Sequence, residues 1–204
     1  MLKELRPSLM LLLVMTIITG LAYPFAVTGV AKLIFPWQAS GSLIEKNGQV
    51  VGSELIGQSF SKPGYFWSRP SATNTPDPND ATKTIDAPYN AANSGASNLA
   101  PSAKALIDAV TAREEALKAA NPGQNDPIPA DLLTTSGSGL DPDISPEAAY
   151  WQVKRVAAAR HIPEAELRQL VAAHTQGRML GFLGEPRVNV LKLNMALDEK
   201  SPMK

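Results

Sequence analysis

Two short runs rich in serine and glycine, SGASNLAP at 94–101 and SGSGLDP at 136–142, are where the residue types of this chain could do chemistry. Small residues let a loop turn several backbone N–H groups toward one point, and a helix start adds positive potential. Ser94, Gly95, Ser97, Ser136, Gly137, Ser138 and Gly139 are therefore candidates for a phosphate cradle. Neither run has the Gly-x-x-x-x-Gly-Lys-Ser/Thr pattern, and Asp141 and Asp143 beside the second would repel phosphate. The competing reading is two capped helix starts with tight turns. A serine nucleophile at Ser136 or Ser138 would need a base, and only His161 and His174 are available. No Gly-x-Ser-x-Gly elbow is present.

Three further groups qualify. Asp77, Asp80, Asp86, Asp141 and Asp143 could concentrate cations, although no Asp-x-Asp-x-Asp-Gly calcium loop occurs, and solvated loop acids are the simpler expectation. Trp67 and Arg69 are of the types favoured as interface anchors, with a structural ion pair as the alternative for Arg69. Arg155 and Arg160, on one predicted helix, read as a solvated stripe.

Composition narrows the classes. Lys+Arg and Asp+Glu are equal at 19 each among 204 residues, so no basic surplus points to nucleic acid. There is no cysteine and there are two histidines, which excludes thiolate chemistry and disulfides and argues against a histidine-built metal site. Seventeen prolines and 14 glycines, most between 41 and 146, predict a loop-rich middle.

The elements that must position these residues begin with an apolar helix. From Pro7 to Ala31 there is no charge in 25 residues, and such a helix reaches about 37 Å, longer than a bilayer's hydrocarbon core. Lys3 and Arg6 precede it, so the positive-inside rule puts the N-terminus in the cytoplasm. The expected organisation is a cytoplasmic tail at 1–7, a transmembrane helix at 8–36 and an extracytoplasmic α+β domain at 37–204, in the plasma (inner) membrane. A cleaved signal peptide is the rival reading; the apolar run continues past Gly20 and no clear Ala-x-Ala site follows. Thr16 and Gly20 form a small-x-x-x-small face, and Pro24 frees a carbonyl better tolerated against protein than lipid. With Tyr23 at mid-span and Trp37 at the outer interface, these residues are expected to meet a partner or the membrane lipid.

Beyond the anchor, Asn47-Gly48 between apolar pairs predicts a hairpin. Tyr65 to Ser68 predicts a short strand, and residues 73–101, with four prolines, a loop. A helix is expected over 102–120, with Leu106, Val110 and Leu117 on one face and a Glu114–Lys118 pair. A strand follows at 132–135. Ser145 and Pro146 start a helix reaching about His161 with Ala149, Val153 and Val156 inward. A third helix covers 163–174, and RVNVLKLNMAL at 187–197 reads as a strand followed by one turn. The fold class is α+β, with a small sheet and about three helices, and the strands could share one sheet.

A string of ordered segments then resembles one family. TGLAYP at 19–24, PWQASGSL at 36–43, GSELIGQSF at 52–60, GYFWSRPSAT at 64–73, SGASNLAPS at 94–102, DLLTTSGSGLDPDIS at 131–145 and VNVLKLNMALD at 188–198 are similar to the C subunit of the bacterial Kdp potassium-transporting P-type ATPase. The resemblance covers nearly the whole chain. It implies an accessory, non-catalytic subunit of an ATP-driven potassium uptake complex, assembled with a channel-like potassium-binding subunit, an ATP-hydrolysing P-type subunit and a small one-pass peptide. It also implies a catalytic chaperone that raises the hydrolysing subunit's ATP affinity, with the serine-glycine stretch likened to an ATP-cassette signature. The residues themselves argue against direct ATP contact. The anchor puts both loops outside, and Ala96 stands where the family usually has a second glycine. No Asp-Lys-Thr-Gly-Thr phosphorylation motif and no Gly-Tyr-Gly-like filter occurs, so ATP and K+ are expected to be handled by partner subunits and no cofactor by this one. The alternatives are a membrane-anchored extracytoplasmic hydrolase and an exported binding protein.

Overall fold

The computed structural model describes residues 2–203. It divides into a unit ending at Val51 and a second unit, Gly52–Lys204. In the first, α1 (Leu2–Ile17) and α2 (Tyr23–Ile34) are joined without a break by a π-helical turn, Ile18–Ala22. Pro24 explains the turn. It has no N–H for the Gly20 carbonyl, so the helix widens there, and the Tyr23 N–H donates to the Ile18 carbonyl five residues back. The polar side chains stay satisfied within the helix: Ser8 Oγ donates to Glu4 O and Thr19 Oγ1 to Met15 O, both at 2.7 Å. No side chain from Lys3 to Ile34 is buried, and this 32-residue helix is long and apolar enough to cross a membrane.

A short helix, α3 (Pro36–Ala39), leads to the hairpin β1 (Leu43–Lys46) and β2 (Gln49–Ser53). Asn47 and Gly48 turn it with φ of 54° and 76°, the left-handed pair that a type I′ turn requires.

The second unit is built around one helix. Ser145 Oγ accepts from the Ala148 N–H at 3.0 Å and Pro146 opens α6 (Pro146–Arg160), as the sequence predicts. Its inward face carries Ala149, Val153 and Val156, each fully buried. Against it pack α7 (Glu164–His174), through Leu167 and Val171, and α8 (Val190–Lys200), through Leu193 and Leu197. Phe66 fills the same core. Each such side chain contributes about 1.5–3 kcal/mol by leaving water. A three-stranded antiparallel sheet runs alongside in the order β5 (Asp143–Ile144), β7 (Arg187–Asn189), β6 (Thr175–Gln176), and Val188 faces both Ile144 and Thr175. Two further elements complete the unit: α4 (Lys104–Ala120), with Leu117 buried and Lys118 paired to Glu114, and α5 (Ala130–Leu133). Arg113 ties them by donating to Leu133 O at 2.8 Å.

Several expectations are corrected. The strands do not share a sheet but form three small ones. Residues 74–86 form a second hairpin, β3 (Asn74–Asp77) with β4 (Asp80–Asp86), rather than a loop. It is polar and largely exposed, so no apolar alternation marks it. Asx turns, in which Asp77 and Asp80 accept from the Asn79 and Thr82 N–H groups, fix it instead. Residues 130–133 make one helical turn rather than a strand, with Leu132 buried. At the C-terminus the strand stops at Asn189, whose side chain caps Lys192 N–H at 3.0 Å. Val190, Leu193 and Leu197 then share a helical face where the sequence suggested continued strand.

Candidate functional site

Among the described residues the predicted strand at 65–68 pairs with no other strand, and what replaces the ladder defines the centre of the second unit. Two side-chain amides hold this backbone from both sides. Asn194 on α8 accepts from Phe66 N–H through Oδ1 and donates to Phe66 O through Nδ2, each at 2.9 Å. Gln152 on α6 does the same for Trp67, with Oε1 accepting its N–H at 2.7 Å and Nε2 donating to its carbonyl at 3.1 Å. Both amides are fully or almost fully buried, so their polar atoms depend on partners within the protein, and for each this backbone supplies both a donor and an acceptor.

Arg155 and Arg160 continue the clamp, which corrects their reading as a solvated stripe: each is 7% exposed. Arg155 Nη1 donates to Pro63 O at 2.5 Å and Tyr65 O at 2.9 Å. Its Nη2 meets Gln152 Oε1 at 2.7 Å, and the guanidinium lies 4.2 Å from the Trp67 ring centroid. Arg160 donates from Nε to Gly64 O at 2.7 Å, pairs with Asp198 at 2.7 Å and stacks over Tyr65. Burial depresses Arg155 to about 10, which still leaves it charged at neutral pH. Tyr65 is raised, first by burial and then by the Asp198 carboxylate that accepts from its hydroxyl.

The clamped segment continues into Arg69, which forms the ion pair weighed for it, Nη1 to Asp141 Oδ2 at 2.9 Å. The Arg69 carbonyl takes the Tyr89 hydroxyl at 2.5 Å, and burial pushes that phenol up to about 12. Trp67 donates its indole N–H to Lys62 O.

The two serine-glycine loops meet. The Gly95 N–H donates to Ser138 O at 2.9 Å and Ser94 Oγ to the same carbonyl at 3.0 Å, while Thr135 Oγ1 lies 3.5 Å from Ser97 Oγ. Ser71 Oγ donates to Gly139 O at 2.7 Å and accepts from Tyr89 N–H. Gly139 has φ 68°, and a Cβ there would lie 2.5 Å from Thr73 Cγ2 and 2.6 Å from Gly95 O. One N–H that a cradle would aim at phosphate, that of Gly95, is thus spent on joining the two loops. Ser136 is buried, while Gly137 and Ser138 are exposed. The Ser138 hydroxyl accepts from the Leu140 N–H. Among the described residues neither histidine bonds to it: His161 is the left-handed cap of α6, and His174 Nδ1 meets Leu170 O.

A groove of about 720 Å³ lies beside Arg69 and is lined by several carboxylates. The aspartates are engaged within the fold: Asp131 accepts from Ser145 N–H, Asp141 pairs with Arg69, and Asp143 with Arg187 at 3.0 Å. Burial raises the Asp143 pKa, an effect that Arg187 opposes. Asp141 and Asp143 are therefore not solvated loop acids, and among the described residues no group of three His, Cys, Asp or Glu could hold a metal ion.

In the first unit, Thr16, Gly20, Tyr23 and Pro24 are exposed on the helix, and a Cβ on Gly20 would sit 3.9 Å from Thr16 Cγ2, on one face. The Trp37 indole donates to Leu43 O at 2.8 Å.

A family model described as the c chain of the K+-transporting ATPase, KdpC, matches residues 5–199. The chain belongs to this family. It is 64% identical to the potassium-transporting ATPase KdpC subunit of Methylobacterium nodulans, over 98% of both chains. Identity is 65% to that of Bradyrhizobium diazoefficiens, over 97% of this chain and 98% of the other. For the Rhodopseudomonas palustris subunit it is 61%, over 99% of this chain and the whole of the other. The span of the match takes in the apolar helix, the clamped segment and both serine-glycine loops.

The sequence reading missed the clamp. Its signal was present: Gln152 lies among Ala148, Ala149, Val153 and Val156 on the inward face of α6, and Asn194 directly follows Leu193 on α8. A polar amide on a buried helical face needs a backbone partner.

Proposed function

We propose that this chain is the accessory, non-hydrolysing subunit of a K+-transporting ATPase, held in the membrane by Lys3–Ile34 with its N-terminus in the cytoplasm and Gly52–Lys204 outside. The observation that carries it is the family match from residue 5 to 199, which spans the apolar helix and the folded unit together. Lys3 and Arg6 before the uncharged run support the orientation. The helix face at Thr16 and Gly20 packs on another subunit, and the outer unit serves as a rigid cap.

Its effect on ATP hydrolysis is transmitted through the partner rather than by touching nucleotide. In support, the Gly95 N–H is taken up by the Ser138 carbonyl, and Asp141 and Asp143 beside the second loop would repel phosphate. The P-type phosphorylation motif and a potassium filter belong to other chains, namely the ATP-hydrolysing and channel-like subunits. The chain needs no cofactor of its own.

The test is purification of the tagged chain from membranes of K+-starved cells. Wild type is expected to carry a P-type ATPase subunit and a larger membrane subunit with it, and Gly20→Leu to lose them. A chain that purifies alone, or that hydrolyses substrate by itself, contradicts the proposal.

A further inference from the structure

Between β6 and β7 the chain projects a short finger, residues 178–185. Its tip is apolar and open: Met179 is 65% exposed, Leu180 77%, Phe182 69% and Leu183 43%. Other exposed apolar residues of the unit, such as Leu55, Leu99 and Ile107, are scattered in sequence, whereas these four lie within five positions.

The finger has a fixed shape. Met179 and Leu183 exchange two backbone hydrogen bonds of 2.9 Å, Phe182 N–H reaches Met179 O at 3.3 Å, and Arg178 pairs with Glu185 at 2.6 Å across the base. Leu180 and Gly181 form the turn with φ of 54° and 84°. Gly181 suits that turn, but Leu180 does not: a left-handed backbone is unfavourable for a residue with a Cβ, and here no burial within the chain offsets it.

We infer that this finger is a plug that inserts into an apolar socket on an extramembrane face of another subunit of the ATPase complex. The inference rests on the reading of the chain as a subunit. Two observations favour protein over lipid. A fluid bilayer does not require a strained, pre-set turn, whereas a socket gains affinity from one. The basic groups of the finger and its base are also paired, Arg178 with Glu185 and Arg187 with Asp143, so these two are not left free for anionic headgroups. Large apolar side chains seated in a dry pocket are the kind that dominate binding at such interfaces.

The test places the photo-crosslinking residue p-benzoylphenylalanine at position 180 in the full chain, expressed with the whole complex in native membranes. Irradiation is expected to join it to another ATPase subunit, at an apolar segment found by mass spectrometry. In parallel, the double variant Leu180→Ser with Phe182→Ser is expected to melt as wild type does, yet to be retained in the complex about thirtyfold less well. Crosslinks to lipid or to a second copy of this chain, no crosslink in an intact complex, or undiminished retention of the double variant would each overturn the plug. A wild-type chain that does not co-purify with other subunits would instead remove the subunit reading itself.

Discussion

Asn194 on α8 holds the clamped segment from within the core. Its amide satisfies both backbone groups of Phe66 in a site closed to water. Asn194→Ala would leave an N–H and a carbonyl unpaired, at about 1–3 kcal/mol each. The variant is therefore expected to lose about 2–5 kcal/mol, read as a lower denaturation midpoint with an unchanged slope. Asn194→Asp, which keeps the acceptor but sets a carboxylate oxygen against the Phe66 carbonyl in a buried site, should be at least as destabilising as Asn194→Ala at neutral pH. A loss under 1 kcal/mol for Asn194→Ala would mean the amide clamp is incidental. At this scale the sequence was partly legible. The Ser145 cap follows from residue type and neighbours, and an ion pair is one of the two expectations for Arg69, but its partner Asp141 is distant in sequence and carries no local signal. Arg155 and Arg160 were misread because an arginine on a helix is usually solvated. Their carbonyl partners at Pro63, Gly64 and Tyr65 lie far away in sequence, although Asn121, Gln152, Asp198 and Ser201 are nearer.

The elements show where local signals suffice. The Asn47-Gly48 hairpin and α6 are set by their own turn and cap chemistry, and both form as the sequence indicates. The 65–68 segment has strand-like residues, but its backbone groups at Phe66 and Trp67 bond to amides from α8 and α6 instead of a neighbouring strand. The β3–β4 hairpin is invisible to periodicity because its strands bury little. The serine-glycine loops yield a clean contrast. Gly139→Ala must accommodate a Cβ 2.6 Å from the Gly95 carbonyl on a left-handed backbone, while Gly137→Ala meets nothing within 4 Å. The first is expected to destabilise by about 2–3 kcal/mol and the second by less than about 0.5 kcal/mol. Thermal melts of the two variants check this. If the loops instead held phosphate, Gly137→Ala and Gly95→Ala would weaken nucleotide binding without lowering the melting temperature.

For the whole molecule, the proposed holding and capping role joins a helix uncharged from Pro7 to Ala31 to a folded unit with many polar groups engaged with one another. The family match extends over both parts. The first measurement to make uses the absence of cysteine. Lys83→Cys, on the exposed hairpin strand β4, would be the only thiol in this subunit, and an impermeant maleimide can be applied to intact cells with any outer membrane permeabilised. Labelling of the full-length, membrane-bound chain before the inner membrane is opened is the predicted result, and it places the capping unit outside, away from ATP. Labelling only after lysis of the inner membrane would contradict the account and put both serine-glycine loops on the side where nucleotide is bound.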